Sequence, residues 1–77
     1  MKATFTDTEV VKEITVQGKT YRALEGKLVN GKMKHFALGP NGAMYVIWIG
    51  EFTEVRSIIT GRIVNQFTKD TLVREVA

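Results

Sequence analysis

The residues best equipped for chemistry in this chain are its cations. Positions 18 to 35 hold Lys19, Arg22, Lys27, Lys32 and Lys34, opposed only by Glu25, while the flanking segments are near neutral or slightly acidic. Such a concentration suits an anionic partner, above all one whose charge repeats along a backbone. Phe36 and Tyr45 follow closely. Rings beside lysines on a sheet hold single-stranded nucleic acid by stacking bases while the ammonium groups track phosphates. The same lysines have a plainer use, because charge on solvent-facing strand positions discourages edge-to-edge pairing of sheets.

Catalytic chemistry is poorly supplied. Ser57 and His35 are the only residues of their kinds, and a Ser-His-Asp set would need Asp7 or Asp70 with no local motif to support it. Glu51 and Glu54 share a face only if their segment is a helix. GKLVNGK lacks the P-loop spacing, and no GxGxxG occurs. With a single histidine, no cysteine and scattered carboxylates, no metal site and no cofactor are expected. The expectation is a binding protein rather than an enzyme.

The chain of 77 residues has a formal net charge of +3, an estimated pI of about 9.5, and no repeat or linker, so residues 1–77 read as one domain. At this size a core supplies only a few kcal/mol of net stability. The absence of cysteine removes disulfides as a supplement and leaves oligomerisation. The apolar run Ala43 to Ile49 is too short to span a bilayer, and MKATFTDTEV lacks the apolar stretch of a signal peptide. A soluble, cytoplasmic protein is therefore expected.

What must position the cations is a set of hairpins. Gln17-Gly18, Asn30-Gly31 and Asn41-Gly42 are turn-like pairs, and Asn-Gly between strand-like residues favours a type I′ turn because both residues tolerate positive φ. They predict strands over 9–16, 19–29, 32–38 and 43–49. EFTEVRSIIT reads as strand or short helix, RIVNQF as a strand, and TKDTLVREVA as a short closing helix capped by Thr68. The fold class is mainly β: a small antiparallel meander closed into a barrel or sandwich, with room for one short helix in the C-terminal third.

Turn lengths assign the faces. A two-residue turn at Asn30-Gly31 sets Lys27 opposite Lys34, and a four-residue loop from Gly39 to Gly42 sets Phe36 opposite Tyr45 and Met33 opposite Trp48. One face then carries Leu24, Leu28, Met33, Ala37, Met44, Val46 and Trp48 as core, with His35. The other carries Lys27, Val29, Lys32, Lys34, Phe36, Leu38, Tyr45, Ile47 and Ile49, with Tyr21 toward one end. That second face needs a covering, and three are available. The C-terminal half could close over it with Ile58, Ile59, Ile63, Val64, Phe67, Leu72 and Val73. A second copy could pack on Tyr45, Ile47 and Ile49. A polyanion could lie between the opposed lysines, whose like charges are otherwise destabilising.

The functional expectation is a module binding nucleic acid, single-stranded in preference, through Lys19, Arg22, Lys27, Lys32, Lys34, Phe36 and Tyr45. Its rival is a small interaction or inhibitor protein, of the kind viruses and mobile elements encode, that forms a homo-oligomer through strand 43–49.

Overall fold

The computed structural model describes residues 7–68 and 70–76. After a 3-10 turn at Asp7–Glu9 come eight strands: β1 (Lys12–Val16), β2 (Lys19–Ala23), β3 (Lys27–Val29), β4 (Lys32–Leu38), β5 (Met44–Ile49), β6 (Thr53–Ser57), β7 (Ile63–Thr68) and β8 (Thr71–Glu75). They form one antiparallel sheet in the order β7-β6-β5-β4-β2-β1-β8, with β3 also paired to β4. The mainly β expectation holds. EFTEVRSIIT, expected as strand or helix, is strand over Thr53–Ser57, laddered with β5, whereas the short helix expected in TKDTLVREVA is instead a strand, Thr71–Glu75, held by its ladder with β1.

Positive φ places the turns. Gln17 and Gly18 (φ 50° and 83°) join β1 to β2, and Asn30 and Gly31 (φ 50° and 80°) join β3 to β4, both as two-residue loops. The long strand expected over 19–29 is broken. Ala23 lies opposite Ala37 but Lys27 opposite Lys34, so one extra residue is accommodated between them, as at a β-bulge.

The core lies on one side of the sheet, where Ile14, Val16, Tyr21, Ala23, Ala37, Ile47 and Val55 are buried and Tyr45 and Ile49 pack against them. Tyr21, expected toward one end of the opposite face, is in the core because it lies opposite Ile14, and it meets Tyr45 edge to face at 5.3 Å and 77°. Burial, and secondarily Tyr45, pushes the Tyr21 phenol above its ordinary pKa. The buried His35 is a satisfied core residue, its Nδ1 donating to the Leu24 carbonyl at 2.8 Å. Gly26 permits this packing. A Cβ there would stand 2.6 Å from Cε1 and Nε2 of His35 and from Cγ of Met33. Met33 can swing aside, whereas the hydrogen-bonded ring cannot move freely. Gly26→Ala is expected to cost about 1–3 kcal/mol, read as a fall in the urea midpoint with unchanged slope; an unaltered midpoint would mean that the ring is not fixed.

The ends of the sheet, β7 and β8, are consecutive in sequence but join no common ladder, so the sheet is open. Thr71 Oγ1, at the start of β8, donates to Thr53 Oγ1, at the start of β6, at 2.7 Å. The C-terminal strands thus extend the sheet and do not cover its outer face. Ile59, Val64 and Leu72 are 82%, 52% and 58% exposed. The side chain of Phe67 lies outside the described residues.

Candidate functional site

The outer face is built from cross-strand rows. The tight Asn30-Gly31 turn fixes Lys27 opposite Lys34 and Val29 opposite Lys32. The β4–β5 ladder then sets Lys34 opposite Trp48 and Phe36 opposite Val46, and the β5–β6 ladder sets Trp48 opposite Glu54 and Val46 opposite Arg56. One row therefore runs Lys27, Lys34, Trp48, Glu54, and the next Phe36, Val46, Arg56. Arg22, opposite Glu13 and Leu38, lies on the same face toward β1.

Within the rows, Lys34 Nζ stands 4.9 Å from the Phe36 ring centroid and 5.3 Å from that of Trp48. Each contact is a cation–π attraction worth about 0.5–1 kcal/mol at an exposed site. They hold the ammonium among apolar surfaces while Lys27 faces it across the ladder. Among the described residues no carboxylate forms an ion pair with Lys27, Lys32 or Lys34. Glu54 is instead held by Arg56, whose Nε donates to Glu54 Oε2 at 3.2 Å and whose Nη1 donates to the Gly61 carbonyl at 2.7 Å. A hollow of about 250 Å³ opens at the end of the first row, lined by Val29, Asn30, Lys32, Trp48 and Glu54.

Three expected residues are not on this face. Tyr45, Ile47 and Ile49 point into the core, with Ile47 fully buried. The cause is the loop after β4. Gly39 N donates to the Ala43 carbonyl, and Gly42 N donates to the Gly39 carbonyl, so Gly39 pairs with Ala43 around a three-residue loop of Pro40, Asn41 and Gly42. Gly42 takes the left-handed conformation (φ 85°), which ends a type I turn in hairpins of this length. Phe36 therefore lies opposite Val46 rather than Tyr45, and every β5 side chain changes face. Strand 43–49 offers its partners a different set of residues from the one expected. Lys19 also stands apart: it pairs with Val16 and shares the parity of Tyr21, at the exposed start of β2.

The same change brings in Trp48, Glu54 and Arg56, which sequence reasoning left out. The signal was present in Pro-Asn-Gly, whose proline and positive-φ glycine suit the three-residue loop.

Elsewhere, a second hollow of about 250 Å³ is lined by Lys12, Glu25, Gly26, Met33, His35, Ile49 and Val73. Its cation is already engaged, since Lys12 bonds Glu75, an interaction that raises its pKa despite some desolvation. Ser57 Oγ accepts the Thr60 N–H at 3.3 Å within the β6–β7 loop. Among the described residues no three His, Asp or Glu side chains are grouped as metal ligands. The chain matches no protein-family model, no curated protein and no solved structure.

Proposed function

We propose that this protein is a non-enzymatic binding module that takes single-stranded nucleic acid on its outer sheet face. The observation that carries the reading is Lys34 held between Phe36 and Trp48 with Lys27 directly opposite, a concentration of positive charge among rings with which, among the described residues, no carboxylate forms an ion pair. Lys27, Lys32 and Lys34 contact phosphates, Phe36 and Trp48 stack bases, and Arg22 extends the track toward β1. Lys19, on the other parity, steers from the rim. The two end strands, β7 and β8, are consecutive in sequence, which supports reading the sheet as a barrel whose last ladder is missing, and a cytoplasmic setting suits such a partner.

Trp48 is the sole tryptophan, so its emission reports on the site directly. Titration with a mixed-sequence 16-mer at about 50 mM salt should quench it, with affinity falling steeply toward about 200 mM as condensed counterions cease to favour binding. Light scattering on the same samples should show one added oligonucleotide mass. Emission and mass unchanged at low salt would refute the reading.

A second reading, a protein-interaction or inhibitor module that self-associates, draws on a different observation: exposed Val64 and Leu72 lie on β7 and β8, the open ends of the sheet. A solution mass above that of one chain, indifferent to oligonucleotide, is its expected signature.

A further inference from the structure

We infer that the hollow at the β3–β4 turn is a base-reading subsite selective for guanine in a single strand, an inference that rests on the nucleic-acid reading above. Its lining combines three functions within one space. Trp48 on β5 supplies an aromatic surface, Glu54 on β6 an acceptor-only carboxylate, and Lys32 on β4 a donor-only ammonium. Strands β4 and β6 lie on either side of β5, two ladder spacings or about 10 Å apart, and both side chains are long enough to converge on one edge of a base stacked at the tryptophan. Glu54 is positioned for this by Arg56, which bonds its Oε2 at 3.2 Å; Oε1 is left to face a ligand, and Oε2 retains a second lone pair.

Guanine complements this pair best. Its Watson–Crick edge presents O6 as acceptor beside N1–H and N2–H as adjacent donors, so the Lys32 ammonium, which has three donors, meets O6 with one of them while keeping its phosphate contact, and the carboxylate takes both N–H groups. Thymine offers the carboxylate one N–H flanked by two carbonyl oxygens, which it repels. Cytosine and adenine each offer one amino group next to a ring nitrogen that also repels it. In a duplex these edges are occupied, so the subsite reads only unpaired bases. Asn30, at the turn, adds an amide to the rim.

The test compares d(TG)8 with dT16 by Trp48 quenching and by anisotropy of labelled strands at about 50 mM salt, for the wild type and Glu54→Gln. The wild type should bind d(TG)8 about tenfold more tightly than dT16, the discrimination of one good bidentate contact. Glu54→Gln should bring the two strands within about twofold while leaving dT16 affinity unchanged or slightly higher, since it removes a negative charge from the face. Equal wild-type affinities would overturn the guanine subsite and leave the nucleic-acid reading standing. A preference that survives in Glu54→Gln would also overturn it, because stacking alone would then account for the selectivity. Failure to bind either strand would defeat both.

Discussion

Ile47→Asp is expected to leave no folded protein at 25 °C. Ile47 is fully buried, with His35 opposite it on β4 and Val55 opposite it on β6. Removing its side chain alone costs about 2–5 kcal/mol, and a carboxylate in its place must either be desolvated or bind a proton, at a further cost of several kcal/mol. A domain of this length has a total stability of only about 3–5 kcal/mol. Circular dichroism should show loss of strand signal, and the near-ultraviolet signals of Tyr21 and Tyr45 should vanish with it. A folded variant of changed oligomeric mass would instead make Ile47 an interface residue, as the outward-facing assignment of β5 required.

The second large effect concerns binding. Lys27→Ala, Lys32→Ala and Lys34→Ala together take the formal net charge from +3 to zero and remove the three cations assigned to phosphates. With about 0.7 counterion released per phosphate on a single strand, the slope of log affinity against log salt should fall by about 2. Affinity at about 50 mM salt should drop roughly a hundredfold or more. Fold stability should change by no more than about 1 kcal/mol, since loss of the two cation–π contacts of Lys34 offsets relief of the Lys27–Lys34 repulsion across the ladder. Titrations across a salt series, with urea melts of the same samples, measure both quantities. Unchanged slopes would move the binding face elsewhere.

These two expectations depend on a single register, and the sequence discloses it unevenly. Asn-Gly and Gln-Gly turns are legible because positive φ at two consecutive positions is a demand few residues meet, and the Lys27–Lys34 pairing follows from the first of them. β5 is not legible from its own residues. Met44 to Ile49 are apolar on both parities, so alternation, the usual guide to faces, is silent there, and the loop alone decides. Its count differs by one residue from the simplest reading, and that one residue exchanges Tyr45, Ile47 and Ile49 for Val46 and Trp48 on the outer face. The expected core membership of His35 and Ala37 survives because β4 did not move; only its partner slid.

The C-terminal third was ambiguous for another reason. Its strands present exposed apolar residues such as Val64 and Leu72, so neither a period of two nor one of 3.6 is clean, and the strand character of β8 comes from its long-range ladder with β1 rather than from local preference.

That ladder also bears on how the chain reaches its structure in time. Five of the seven ladders join strands that are neighbours in sequence, and β2 with β4 is only a short step further. The β1–β8 ladder, by contrast, ties Lys12 to Glu75 and Glu13 to Arg74, side chains 63 and 61 positions apart. Closing a loop of that length is entropically the most demanding pairing in the molecule, so the hairpins assemble first and β8 docks last. Until it does, β1 keeps an open edge, with Ile14 and Val16 lacking one of the strands that flank them in the finished core. The overall folding rate is therefore expected to be set by the search of one short strand for its place, and a partly folded chain with β1 exposed is the form expected to be most open to pairing with the wrong chain.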